Sequence, residues 1–211
     1  MMPIPPKALP VRTLPVRTLP VRTLLAAATL FAAAGWSSAA GAAVTILGGS
    51  TAGRDCYVAA ELKRETRASL DVCTRALDVD AMSRRDRAAT LVNRGIIHMQ
   101  ARDLENAVAD YRAAIAIEPD LAEAHVNLGI ALLHRGGQDQ AAIDILTRAL
   151  EMNPARPEVA FYTRAVAHEL VGNVREAFED YSAAAAAAPE WKEPAEQLKR
   201  FSVERRQTAR G

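Results

Sequence analysis

One sequence pattern occurs three times in succession between Ala88 and Pro189, and its copies are spaced about 35 residues apart. The second half of each copy shows the pattern most clearly, because alanine, a large apolar or aromatic residue, alanine and proline recur at fixed positions. These positions hold Ala107, Ala142 and Ala177, then Tyr111, Leu146 and Tyr181, then Ala114, Ala149 and Ala184, then Pro119, Pro154 and Pro189. A period of this length is typical of stacked supersecondary units that share one continuous core. It restricts the chain to a solenoid.

Each copy has the residue types of a helical hairpin. The first half carries a small residue at Gly95, Gly129 or Ala165, where two helices can approach closely. A proline closes each second half, because proline lacks the backbone N–H and clashes with the preceding helical turn. The chain is 50% hydrophobic but only 5% aromatic, and its many alanines favour helix. The predicted fold class is therefore all-α, with three hairpins stacked side by side.

The pattern resembles the tetratricopeptide repeat, a helix–turn–helix unit of about 34 residues. The matching residues are Leu91, Arg94, Gly95, His98, Ala107, Tyr111, Ala114 and Pro119, then His125, Leu128, Gly129, Leu132, Ala142, Leu146, Ala149 and Pro154, then Phe161, Arg164, Ala165, His168, Ala177, Tyr181, Ala184 and Pro189. The resemblance, which extends to small exported bacterial members of the family, implies a tetratricopeptide-repeat solenoid over residues 85–189. Its three repeats are expected at about 88–121, 122–156 and 158–190.

A solenoid of this kind requires a cap at each end. Residues 54–84 echo the repeat, since Cys73 takes the place of Leu146, but no proline closes them. We interpret them as a degenerate hairpin that caps the amino end, preceded by a flexible arm at 44–53. Residues 190–206 are predicted to form a carboxy-terminal capping helix. Its apolar stripe consists of Trp191, Ala195, Leu198 and Phe201.

Residues 1–43 are predicted to be a secretory signal peptide. Four basic residues and no acidic residue precede an apolar run from Leu24 to Trp36, and small residues follow that run. This is the order expected of a secretory signal, and cleavage is expected after Ala42 or Ala43. The run is too short to span a membrane, so no membrane insertion is expected after cleavage. A mitochondrial transit peptide is the alternative; the expected location is periplasmic or secreted.

The net charge gives no support for binding to nucleic acid. The full chain carries 26 Lys and Arg residues against 25 Asp and Glu residues. Four of the basic residues belong to the predicted leader, so 22 remain in the mature chain against the same 25 acids. A chain this close to neutrality has no general attraction for a polyanion. We therefore expect no nucleic-acid partner.

The two cysteines, Cys56 and Cys73, both lie in the degenerate hairpin. A disulfide between them is expected, because disulfides persist in the oxidising compartments to which a secretory leader directs a chain. A turn near Arg64 and Glu65 would place the two cysteines opposite each other on antiparallel helices. One alternative is a pair of buried thiols that pack as small hydrophobic groups. A redox-active pair is the other, although the spacing is unlike C-x-x-C.

No catalytic or cofactor motif is recognisable in the sequence. Glycine-rich nucleotide loops, a G-x-S-x-G elbow and an H-E-x-x-H helix are all missing. The histidines His98, His125, His134 and His168 raise the question of a metal site, but none of them has a histidine four residues away. His98 and His168 share a slot that holds a packing ring in the resembled family. We expect no catalytic residue, no cofactor and no metal, and we do not expect an enzyme.

The resemblance also supplies the candidate binding residues, because the first helix of each tetratricopeptide repeat lines the concave surface. These residues are mostly apolar, include two amide side chains, and lack the ring of basic residues that would clamp a terminal carboxylate. They are Val92, Asn93, Ile96 and Met99 in the first repeat, Val126, Asn127, Ile130 and Leu133 in the second, and Tyr162, Thr163, Val166 and Glu169 in the third. Aspartate at Ile96 or Ile130 is expected to weaken partner binding and leave the fold intact.

The expected function is that of an exported scaffold that binds a protein or peptide segment through this apolar groove, without catalysis. The alternative is a structural or stabilising subunit of an envelope complex, in which the chain's own carboxy-terminal helix fills the groove. The two hypotheses differ in whether the helix of residues 190–206 contacts the groove residues: contact would favour the structural subunit, and an open groove would favour the scaffold.

Overall fold

The structure, a computed structural model, describes residues 51–62, 66–79 and 81–201. The predicted leader, residues 44–50 of the predicted arm, the predicted turn at Arg64 and Glu65, and the end of the chain from residue 202 lie outside these ranges. All regular structure in the described part is helical. The helices are α1 (Thr51–Glu61), α2 (Arg67–Val79), α3 (Arg84–Gln100), α4 (Leu104–Ile117), α5 (Ala122–Arg135), α6 (Asp139–Glu151), α7 (Pro157–Leu170), α8 (Val174–Ala187) and α9 (Lys192–Leu198).

The helices pack as antiparallel hairpins in chain order. Helices α3 and α4, α5 and α6, and α7 and α8 form three hairpins, and the second helix of each packs against the first helix of the next. The pair α1 and α2 stacks on α3 in the same way, and α9 packs against α8. The predicted all-α solenoid of three repeats with a hairpin at one end and a capping helix at the other is confirmed. Helix α1 begins at Thr51, three residues before the predicted start of the capping hairpin.

A tight crossing inside each repeat explains why a small residue recurs in the first helix. A Cβ atom added at Gly95 would lie 2.5 Å from Cε1 of Tyr111, and one added at Gly129 would lie 2.5 Å from Cγ of Leu146. Both facing side chains are buried, so neither can move into solvent to make room. A small residue therefore recurs in the first helices because a ring or an isobutyl group packs directly against the backbone at that position.

The main apolar core continues from α1 to α7, and a second cluster lies at the carboxy-terminal end. In that cluster the ring of Trp191 lies 4.8 Å from that of Tyr162, and the ring of Phe201 lies 6.0 Å from that of Tyr181. Aromatic pairs at these separations add to the energy of burial. The predicted stripe is only partly right. Helix α9 spans Lys192–Leu198, so Trp191 and Phe201 flank it, and Ala195 is exposed while Pro194 is buried in its place.

The amino-terminal hairpin is cross-linked. Cys56 on α1 and Cys73 on α2 form a disulfide, with their Cα atoms 4.8 Å apart and both side chains buried. The predicted pairing is present in the structure. None of the helices in the described ranges combines the length and the hydropathy needed to cross a bilayer.

Candidate functional site

The residues proposed to line the groove lie on α3, α5 and α7, as predicted, but most of them have little contact with solvent. The buried members are Val92, Asn93, Ile96, Val126, Asn127, Ile130 and Thr163. The half-buried members are Met99, Leu133, Tyr162, Val166 and Glu169. In this conformation a partner could touch only the second group, so a partner-binding role for the first group stays a prediction.

One expectation about this face is wrong. Ile96 and Ile130 are 3% and 4% exposed and belong to the main apolar core. An aspartate at either position would place a carboxylate among apolar side chains without a partner, which destabilises the folded state strongly. These two substitutions would therefore test stability and not binding.

In the third repeat, the carboxy-terminal segment contacts the proposed groove residues. Trp191 packs on Tyr162, with the two ring centroids 4.8 Å apart. Burial raises the pKa of Tyr162 to about 12. Arg200 pairs with Glu169, which also accepts a hydrogen bond from the Tyr181 hydroxyl at 2.7 Å. The groove residues Tyr162 and Glu169 of the third repeat therefore already contact the carboxy-terminal segment of the same chain.

Within the residues that the structure describes, the capping helix does not extend along the rest of the face. Helix α9 is seven residues long and packs against α8, the second helix of the third repeat. Met99 on α3 and Leu133 on α5 occupy the same slot in repeats one and two and remain half-buried. Both pack against the main core with part of the side chain. These two side chains are the accessible apolar positions of the predicted groove outside the third repeat.

A second feature of the first helices, which the sequence reasoning missed, is a charged cluster in the first repeat. Arg94 donates from Nε to Oδ2 of Asp110 at 2.8 Å and from Nη2 to Oδ1 at 2.7 Å. Its Nη1 donates to Oγ1 of Thr74 at 3.1 Å. Because Thr74 lies on α2, the guanidinium connects the amino-terminal hairpin to the first repeat. The hydrogen bonds to Asp110 raise the pKa of Arg94 above its usual value.

The same cluster recurs in the third repeat. Arg164 donates to both carboxylate oxygens of Asp180 at 2.7 Å, and its Nη1 donates to Oγ1 of Thr147 at 3.0 Å. Thr147 lies on α6, so this guanidinium connects the second repeat to the third. Only 8% of the Asp180 side chain is exposed. Two-point pairing of a planar guanidinium with a carboxylate is among the stronger polar contacts in proteins.

The second repeat replaces this cluster with apolar residues. Leu128 stands where the other repeats have arginine, Leu132 where they have histidine, and Ile145 where they have aspartate. All three are buried or packed against the core. At the slot that holds arginine in repeats one and three, the three junctions between neighbouring hairpins are therefore ionic, apolar and ionic in turn. A comparison of the repeats position by position could have found this, because arginine and aspartate disappear from the second repeat together.

Three of the four histidines fall into two classes. His125 is buried and donates from Nε2 to the backbone carbonyl of Pro119 at 2.8 Å, which is a structural role. His98 and His168 each place Nε2 3.9 Å from an oxygen of the aspartate in their cluster. In the described ranges no group of histidine, cysteine, aspartate and glutamate side chains has the arrangement of a metal site.

Known proteins share this architecture. Residues 95–136 match the family model of the TPR repeat. No curated protein matches the chain. Among solved structures, the TPR domain of Arabidopsis OM64 superposes with a TM-score of 0.53 at 22% identity, covering 56% of this chain and 96% of that domain.

Two further similar structures concern peptide binding. The first TPR domain of Spaghetti (RPAP3), bound to the HSP90 peptide SRMEEVD, has a TM-score of 0.51 at 19% identity and covers 54% of this chain and 88% of that domain. YrrB, described as a TPR protein with an unusual peptide-binding site, has a TM-score of 0.55 at 20% identity and covers 68% of this chain and 69% of its own. At these identities the likeness concerns the fold.

Proposed function

We propose, from the tetratricopeptide-repeat fold of this chain, that it is an exported scaffold that binds a protein or peptide segment on the face formed by the first helices. The observation that carries the proposal is the pair of half-buried apolar side chains Met99 and Leu133, which recur at one slot in adjacent repeats. The peptide-binding sites named for Spaghetti and YrrB support it by analogy of fold. The proposal includes no catalytic step.

The chemistry of this face favours an apolar partner segment. Met99 and Leu133 offer one accessible apolar contact each in adjacent repeats, and the half-buried polar residues Gln100 and His134 follow them in the chain. Arg135, the last residue of α5, is paired with Glu105, with Nη1 3.1 Å from Oε2. Methionine adapts its shape to different apolar surfaces. A helical or extended segment with spaced apolar residues would fit such a surface, at the entropic cost of ordering the segment.

The exposed apolar residues at the ends of the described solenoid favour a second candidate, a structural subunit that docks through its terminal hairpins. These residues are Val58 and Leu62 at the amino end and Leu170, Val171 and Phe178 at the carboxy end. Phe178 is 40% exposed, whereas Val108 and Ile143, its counterparts in repeats one and two, are 2% and 6% exposed. The next repeat covers those two residues, and no full repeat follows Phe178 within the described ranges.

Capture of partners by variant proteins separates the two candidates. Met99→Gln and Leu133→Gln together are expected to reduce crosslinking to partners from the envelope fraction by several fold, because they remove the accessible apolar contacts. Phe178→Gln and Leu62→Gln together are the matched control, since they remove equally apolar side chains away from the face. Loss of capture in the control pair alone would contradict groove binding and favour the structural subunit. Circular dichroism of both pairs checks that the fold persists.

The exported location rests on the leader sequence and has its own test. Expression of the full chain is expected to yield a mature protein in the envelope or the medium that begins at Ala43 or Val44, because small residues follow the apolar run directly. Amino-terminal sequencing of the fractionated protein measures this. A mature chain that begins at Met1 and stays in the cytoplasm would contradict the export proposal without affecting the groove.

A further inference from the structure

His98 and His168 occupy the same slot in the first and third repeats, yet their Nδ1 atoms face different groups. Nδ1 of His98 lies 3.1 Å from Oδ2 of Asp103, although not in hydrogen-bond geometry. Nδ1 of His168 lies 3.3 Å from Nδ2 of Asn173. Asp103 and Asn173 correspond in the repeat, since each is the residue before the second helix. One ring therefore faces an anion and the other an amide.

The amide restricts the protonation state of His168. When the NH₂ group of Asn173 donates, Nδ1 of His168 accepts, and the neutral ring carries its proton on Nε2. Nε2 points toward Asp180, 3.9 Å away. A second proton on Nδ1 would oppose the Asn173 amide and remove this hydrogen bond.

The charged groups around His168 do not remove this restriction. Asp180 and Glu176 on α8 favour the protonated ring, whereas Arg164 on its own helix α7 opposes it. Asp180 is already engaged by Arg164 through both oxygens, and α6 contributes only the neutral hydroxyl of Thr147 to that pair. Both carboxylate oxygens thus accept from the guanidinium, whereas Nε2 of His168 lies 3.9 Å from Oδ2, beyond hydrogen-bond distance.

We propose that the third repeat is an acid-sensitive element of the solenoid, in which protonation of His168 loosens α7, α8 and the attached carboxy-terminal cap while the first repeat stays folded. The cap depends on this repeat, because Trp191 packs on Tyr162 and Arg200 pairs with Glu169, both on α7. Loosening of the repeat would uncover the side chains of the predicted groove that the cap now contacts.

The direction of the pH effect follows from linkage. Burial lowers the pKa of His168 below its ordinary value near 6.5. The unfolded chain then binds a proton at a higher pH than the folded chain does. The contribution of His168 to stability is therefore fully present above about pH 6.5 and is lost as the pH falls below that value.

The test compares stability at about pH 7.5 and about pH 5.5, a range in which ordinary carboxylates remain ionised. Hydrogen exchange of the mature chain is expected to show lower protection factors in α7–α9 at the lower pH, with α3 and α4 unchanged. In the Asn173→Asp variant, which copies the first repeat, that loss is expected to disappear. The His168→Leu variant, which copies Leu132 of the second repeat, is also expected to lose the pH dependence.

Two results would overturn the proposal. The first is equal pH dependence of α7–α9 in the wild type and in Asn173→Asp. It would mean that the Asn173 amide flips and that its oxygen accepts a hydrogen bond from the second ring proton. The second is loss of protection spread evenly over all repeats, which would point to a global effect of charge. Imidazole nitrogen resonances in the wild type give an independent check, since they report whether the neutral ring of His168 carries its proton on Nε2.

Discussion

Replacing Asp110 with isoleucine is expected to lower the free energy of unfolding by roughly 3 to 5 kcal/mol, because it leaves the guanidinium of Arg94 without its carboxylate inside the protein. The loss should lie toward the lower end of this range, since the Arg94 side chain keeps 22% of its surface exposed and the Thr74 hydroxyl remains as an acceptor. Urea unfolding followed by circular dichroism measures the change. Isoleucine is the residue that the second repeat uses at this position, Ile145.

The triple variant Arg94→Leu, His98→Leu and Asp110→Ile is the matched control, because it copies the complete apolar set of the second repeat. Replacement of a whole buried ion pair by packed apolar residues is often neutral or stabilising, so the triple variant should regain most of what Asp110→Ile loses. If the triple variant were as unstable as the single one, the destabilisation would come from poor packing of the introduced isoleucine and not from the unpaired charge.

Removal of the disulfide is the second change with a large expected effect. Replacing Cys56 and Cys73 with alanine should destabilise the amino-terminal hairpin by about 3 kcal/mol, because the bond closes a short loop, with a sequence separation of 17, and restricts the unfolded chain. The effect should be local, since among the described helices α1 packs chiefly against α2 and α3. Limited proteolysis should then cut first within residues 51–79.

Reduction of the wild-type protein is the control for the disulfide. Dithiothreitol should produce the same early cleavage in the wild type and no further change in the double alanine variant. Equal resistance of the oxidised wild type and the variant would contradict a stabilising role and would favour two cysteines that contribute chiefly as packing groups. Cleavage that began in the third repeat would show that the hairpin is not the least stable unit.

The repeat architecture could be read from the sequence because its determinants are local. Proline stops and alanine contacts recur every 35 residues, and Gly95 and Gly129 are 34 residues apart. The alanines and glycines correspond to close packing seen in the structure. The cysteine pair was predictable for the same reason, since both residues lie in one hairpin. Ala195 was misassigned because an apolar stripe on a short helix does not reveal that Pro194 makes the buried contact.

The candidate site was less predictable, because exposure depends on neighbours that the repeat pattern does not contain. Ile96 and Met99 both lie on the predicted face, but only Met99 retains partial exposure. The ionic clusters were missed because Arg94 and Asp110 are 16 residues apart and lie on different helices. Each residue alone is an ordinary charged residue of a helix surface. Their pairing became visible only when the two helices were packed together.

The alternation of ionic and apolar contacts at the arginine slot has a consequence for how such a chain can evolve by gain or loss of repeats. In the present order, Arg164 meets the hydroxyl of Thr147 on the preceding helix. The residue of the first repeat that corresponds to Thr147 is Arg112. Deletion of the middle repeat would therefore bring two guanidinium groups together at one junction, where like charges repel. Although the backbone units look interchangeable, their side chains fix the order in which they can be joined.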